Sequence, residues 1–102
     1  MGLAGWYHDP KHGHCLRRIL RVSPGRYTIV GVYGDDETPR THQAWTARIT
    51  TDDERTLVVN FDGKQLLSHA RVYRAVYDGA SRIDWEDGNR WTRLYVHPAQ
   101  LR

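Results

Sequence analysis

The sequence predicts an all-β domain, a small antiparallel up-and-down β-barrel of about eight short strands. Three observations point there. Turn signals recur at short intervals, at Ser23-Pro24-Gly25, Gly34-Asp35-Asp36, Asp52-Asp53-Glu54, Asp62-Gly63, Asp78-Gly79 and Asp87-Gly88-Asn89. Between them lie strand-length runs in which apolar and polar residues alternate with period two, the pattern of a strand with one buried face. The apolar content is 39% of 102 residues, carried by four Trp, six Tyr and β-branched residues with a single Phe and a single Met. That composition suits pleated surfaces, and a chain of this length supports one core and one domain over residues 1–102.

Strands are expected near 4–8, 14–22, 26–34, 42–51, 56–61, 66–77, 81–86 and 90–96. Trp45, Ala47 and Ile49 alternate with Ala44, Thr46 and Arg48; Leu57, Val59 and Phe61 with Thr56, Val58 and Asn60; Ile83 and Trp85 with Arg82 and Asp84. The last run, with Trp91, Arg93 and Tyr95 on one side and Thr92, Leu94 and Val96 on the other, carries bulk on both faces. Arg26 to Tyr33 is apolar on both faces, and Gly31 within it signals a bulge or bend. Leu66 to Tyr77 is ambiguous, since Leu66, Ala70 and Tyr73 fall at helical spacing. Val72, Tyr73, Val76 and Tyr77 followed by Asp78-Gly79 favour a strand and hairpin turn. The alternatives are a β-sandwich, or an α+β fold with a helix near 66–76. Short connections and eight sequential strands favour closure into a barrel, which removes exposed edges.

Leu3-Ala4-Gly5-Trp6-Tyr7 resembles the Gly-x-Trp or Gly-Thr-Trp-Tyr opening of avidin-like and lipocalin-like (calycin-like) barrels, with one residue fewer between Gly and Trp. The run Ile83 to Arg93 is similar to a late hairpin of such barrels, ending in an Arg that caps the N-terminal Trp. The resemblance implies that Arg93 stacks on Trp6 and closes one end of the barrel. The family's longer strands and ligand loops are missing, so it implies no biotin or retinoid site.

A lone Cys15 excludes an internal disulfide and points to a reducing, cytoplasmic location. No secretory leader, myristoylation signal or membrane span is expected from the sequence. The net charge of +3 comprises thirteen Arg and two Lys against twelve carboxylates. The acids cluster at turns and the arginines in strands, which reads as solvated strand faces with cross-strand ion pairs while permitting an anionic partner.

Four functional classes follow. The leading one is a non-catalytic barrel binding a small apolar or anionic molecule, with Arg18, Tyr27, Tyr33, Trp45, Tyr73 and Trp85 as candidate ligand-binding residues. In the second strand Leu16, Arg18, Leu20 and Val22 share one face and Cys15, Arg17, Ile19 and Arg21 the other. Taking the leucine face as interior turns Arg18 inward, where it needs a ligand anion or a strand carboxylate, chiefly Asp84. The second class is a protein-interaction module or homodimer with a filled barrel, since eight strands are just wide enough for their own side chains. The third is nucleic-acid binding by Arg17, Arg21, Arg48, Arg71 and Arg74 with Tyr27, Tyr73 and Tyr77, against which the acid-rich turns argue. The fourth is an enzyme with an unmarked pocket, because no phosphate loop, nucleophile elbow or zinc-hydrolase helix is present.

Metal candidates are His8, His12 and His14 with Asp9, spaced i, i+4, i+6 across a turn at Asp9 to Gly13. On a strand only His12 and His14 would share a face, so the stretch is read as a solvated connection and no cofactor is expected. His14 and Cys15 point to opposite strand faces, which separates a thiol nucleophile from its neighbouring base.

Overall fold

A computed structural model describes residues 2–12, 17–33, 40–61 and 72–95. Its strands are β1 (Gly5–His8), β2 (Arg17–Ser23), β3 (Arg26–Tyr33), β4 (Arg40–Thr50), β5 (Thr56–Asn60), β6 (Val72–Tyr77), β7 (Arg82–Trp85) and β8 (Arg90–Arg93). Each pairs antiparallel with the next, and β8 returns to β1, closing the barrel in chain order. The seam pairs Tyr7 with Arg93 and His8 with Thr92, and the Leu94 N–H donates to the Trp6 carbonyl at 2.8 Å. Closure excludes an open sandwich. The strand Val72–Tyr77 excludes a helix over 72–76, while 66–71 lie outside the described residues. No helix among the described residues is long and apolar enough to cross a membrane.

The alternation read in the sequence fills the interior. Ile19, Ile29, Ala47, Ile49, Leu57, Val59, Ala75 and Ile83 are buried, while the residues between them on each strand are exposed or half-buried. Gly31 is read in the sequence as a bend, and the register shifts nearby, between Val32 and Tyr33. Its main role is close approach: a Cβ there would overlap the Trp45 ring. The missing side chain therefore lets the indole pack directly against β3.

Turn chemistry fixes the hairpins. In Asp78-Gly79, Gly79 adopts φ +88°, and Asp78 Oδ1 accepts the N–H groups of Ala80, Ser81 and Arg82 at 2.8 to 3.0 Å. Those bonds, led by that from Arg82, lower the Asp78 pKa to about 2. Asp53 is lowered to about 2 by the backbone N–H groups of Thr56 and Arg55. Folding thus favours both carboxylates over the acids. Their contribution is present above the unfolded value of about 4 and disappears as pH falls through about 2. Asp78→Asn should make urea-unfolding stability depend less steeply on pH between 4 and 2. A slope equal to that of the unmutated protein would contradict this source of acid sensitivity.

Candidate functional site

The two ends of the barrel are built differently. At the end holding the N-terminal segment and the β6–β7 turn, the Arg93 guanidinium reaches five acceptors. Nη1 reaches the Ala4 carbonyl at 2.8 Å; Nη2 serves the Gly2 carbonyl, the Tyr7 hydroxyl and the Tyr77 hydroxyl; Nε reaches the Ala80 carbonyl at 3.1 Å. The guanidinium lies 5.1 Å from the Tyr7 ring centroid and 5.9 Å from that of Tyr77. Burial pushes the Tyr7 hydroxyl well above the usual phenol range, with Arg93 pulling it part of the way back. Arg93 closes this end, but Trp6 is not its partner. Strand β1 turns Tyr7 inward and leaves Trp6 43% exposed outside, beneath the Arg18 guanidinium at 5.1 Å.

At the other end Asp9 and Lys11 of the β1–β2 connection and Asp87 and Asn89 of the β7–β8 turn flank the mouth of a cavity. Here the expected sidedness of β2 is reversed. Arg17 and Ile19 face inward, each 1% exposed, whereas Leu20 is 38% and Val22 66% exposed and Arg18 points to solvent. Arg18 is therefore no cavity residue. Asp84, the expected internal partner, also faces out, accepting from Arg90 Nε at 2.7 Å with Arg82 Nε at 4.0 Å. Two apolar residues on the outer face of β2 outweighed the phase set by Ile19, which is why hydrophobicity alone selects the wrong side.

Arg17 Nη2 lies 3.6 Å from Asp9 Oδ2, both side chains almost fully buried. Asp9 Oδ1 accepts the Lys11 N–H at 3.0 Å, shaping the 3-10 turn Pro10–His12, and Asn89 Nδ2 at 2.9 Å. Lys11 Nζ reaches Asp87 Oδ2 at 3.5 Å. These bonds tie the β7–β8 turn across the seam to the β1–β2 connection. The Arg17 guanidinium also lies 5.0 Å from the Trp45 ring centroid and 6.0 Å from that of Trp91.

Above Arg17 is a cavity of about 140 Å³, walled by Trp45, Phe61, Tyr73, Trp85 and Trp91 and rimmed by Lys11, Asp87 and Asn89. The rings pack obliquely, with centroids 4.7 Å apart for Trp85 and Trp91, 5.8 Å for Phe61 and Trp85, and 5.6 Å for Phe61 and Tyr73. Of the residues singled out in the sequence, Trp45, Tyr73 and Trp85 line this cavity. Tyr27 is buried elsewhere, donating its hydroxyl to Glu54. Burial and that bond push its pKa up to about 12. The Tyr33 side chain lies outside the described residues. Phe61 and Trp91 are not singled out in the sequence, and Arg17 and Asp9 are weighed there only for nucleic-acid and metal binding, although strand phase from Tyr27, Ile29 and Ile19 marks Arg17 as inward-facing.

His8 is half-buried on β1. The His12 side chain and His14 lie outside the described residues, as does Cys15, and His12 ends a 3-10 turn within the connection read as Asp9 to Gly13. Among the described residues no three His, Cys, Asp or Glu gather as a metal site.

No protein-family model matches the chain, and comparison with curated proteins and with solved structures gives no significant match.

Replacing one member of a buried ion pair leaves the other charge uncompensated, at a cost of about 3–5 kcal/mol. Asp9→Ala should therefore lower stability to guanidinium unfolding by about that amount, while Arg18→Ala should change it by less than about 1 kcal/mol. Equal losses for the two variants would contradict the assigned sidedness of β2.

Proposed function

We propose that this domain is a non-catalytic small-molecule binding barrel whose mouth cavity takes one apolar or anionic ligand about the size of an aromatic ring. The observation that carries the reading is the cavity of about 140 Å³ lined by five aromatic side chains together with Arg17, Asp9, Lys11, Asp87 and Asn89. An apolar cavity of about 150 Å³ is enough to hold benzene. Binding sites of this kind combine apolar walls with a few polar groups that fix orientation, and Arg17, Asp9 and Asn89 supply those groups here.

A calycin-like relationship is part of the proposal. It is supported by the up-and-down closure in chain order and by an Arg of the last strand packed on an aromatic residue of the first. The aromatic is Tyr7, next to the Trp on which the resemblance rests. A cytoplasmic location is proposed on the single cysteine alone.

A second reading, a protein-interaction surface, has its own support on the outside of the barrel. A shallow groove there is lined by Val22, Val58 and Val72, the first and last more than half exposed, together with Arg26 and Arg48. Exposed apolar residues interspersed with arginines are a composition that contact surfaces share. Concentration-dependent mass by light scattering tests self-association, and a strict monomer would count against the homodimer form.

The ligand reading is tested by titrating single-ring compounds against intrinsic Trp fluorescence and thermal unfolding. Saturable fluorescence change is expected, with about 2.7 kcal/mol of added stability at 100 times Kd. Phe61→Trp, which fills the cavity, should abolish both. Binding that persists unchanged in Phe61→Trp would place the ligand elsewhere and overturn the reading.

A further inference from the structure

We propose that the outer wall of the barrel, along the groove over β3, β4 and β5, binds single-stranded nucleic acid by its phosphodiester backbone, with Trp6 as a stacking platform for a base. This site is separate from the mouth cavity, and its occupant differs from the self-association partner considered above.

Charge is segregated around the barrel. Strands β2 to β6 are consecutive in the closed sheet and carry seven arginines and no carboxylate. Arg17 faces inward, whereas Arg18, Arg21, Arg26, Arg48 and Arg74 are exposed. Every carboxylate of the chain lies in a connection between strands or, as Asp84, on β7. The acid-rich turns that weigh against nucleic acid in the sequence are therefore set apart from this wall. Arginines gathered on one face are the electrostatic footprint of a polyphosphate partner, and the guanidinium fork matches phosphate. At one end the groove meets the β4–β5 turn, where Asp52 and Asp53 line a separate depression with Thr50 and Val58. Like charge there keeps a phosphate chain on the strands and off the turn.

The groove has the chemistry of a backbone contact. It holds about 470 Å³. On its floor Arg26 stands opposite Thr50, Thr28 opposite Arg48, and Arg48 opposite Asn60. Arg26 and Arg48 are thus diagonal neighbours, about 7–8 Å apart, with two hydroxyls and an amide beside them. Arginine, threonine and asparagine side chains are the groups that contact phosphate and sugar. Val22, Val58 and Val72 flank them with apolar surface for the sugar carbons. Closure of the sheet leaves no edge for an extended peptide to join, which favours a partner recognised through side chains.

Trp6 extends this surface toward β1. It is 43% exposed on the outer side, with the Arg18 guanidinium 5.1 Å from its ring centroid. Trp6 stands opposite Arg18, and Arg18 opposite Val30, two residues along β3 from Thr28 in the groove. At about 4.8 Å between strands and about 3.4 Å per residue, Trp6 lies about 12 Å from Thr28 along the wall. Single-strand binders join a basic groove to aromatic faces in this way, over sites of about 4–16 nucleotides.

Three probes are titrated against the full chain by fluorescence anisotropy at several salt concentrations: an oligothymidylate of about 12 nucleotides, a DNA duplex of the same length, and polyglutamate of matched charge. The oligothymidylate should bind tightest, with log K falling by about 0.7 per tenfold rise in salt for each phosphate met. Arg26→Gln should weaken binding and reduce that slope by about 0.7, whereas Arg90→Gln, on β8 beside Asp84, should change neither. Trp6→Leu should weaken binding roughly five- to tenfold at an unchanged slope. The backbone amide signals of Val22, Val58 and Val72 should shift on binding. Duplex binding as tight as the single strand, or Trp6→Leu without effect, would overturn the single-strand assignment. Polyglutamate binding as tightly would overturn the choice of nucleic acid in favour of an acidic protein. Absence of binding at low salt, a slope unchanged in Arg26→Gln, or shifts confined to the mouth residues would overturn the site itself.

Discussion

The ion pair of Arg17 and Asp9 stands inside a closed sheet, and the mouth of the barrel is organised around it. Taking two charges out of water costs several kcal/mol per ion, so the pair persists only with good geometry and further partners. Asp9 has them in the Lys11 N–H and the Asn89 amide. Arg17 has them in the faces of Trp45 and Trp91, contacts of about 2 kcal/mol when desolvated. The same groups brace the barrel end and shape the cavity there. Holding Asp9 in place ties the β1–β2 connection to the β7–β8 turn, and holding Arg17 in place orients two of the five rings that form the cavity wall.

The opposite end shows the same chemistry used only for closure. Arg93 meets five acceptors in backbone carbonyls and tyrosine hydroxyls, with Tyr7 and Tyr77 beneath it. Its planar fork, which a lysine cannot reproduce, joins the N-terminal segment, β8 and the β6–β7 turn across the barrel seam. Between the two arginines the interior is aliphatic and filled, in keeping with how little room eight strands enclose. Among the described residues the cavity lies where bulky rings meet at oblique angles, because rigid planar groups leave gaps that branched aliphatic side chains fill.

Strand existence and order were legible because two local signals agreed: Asp-Gly turns such as Asp78-Gly79, and alternation such as Trp45, Ala47 and Ile49. Sidedness was legible wherever the inner face was the more apolar one, and failed at β1 and β2. On β2 the outer face holds Leu20 and Val22 while the inner face holds Arg17, so hydrophobicity pointed outward. On β1 two aromatics are adjacent, and nothing local distinguishes Trp6 from Tyr7. What decides both is non-local. The register of Tyr7 opposite Arg17 and Arg93 brings inside two arginines whose partners come from a turn and from backbone carbonyls. Asp9 was invisible as a partner for the same reason, since a turn aspartate is ordinarily a solvated one.

The central claim is that Arg17, and not Arg18, forms the floor of the mouth cavity, held among indole rings. Side-chain NMR of ¹⁵N-arginine-labelled protein tests it most directly. The account predicts that the Arg17 Nε–H exchanges with solvent far more slowly than that of Arg18, and that the neighbouring Arg17 methylene protons are displaced upfield by the rings of Trp45 and Trp91. An Arg17 Nε–H exchanging as fast as those of the surface arginines, with a protected Arg18 in its place, would contradict it.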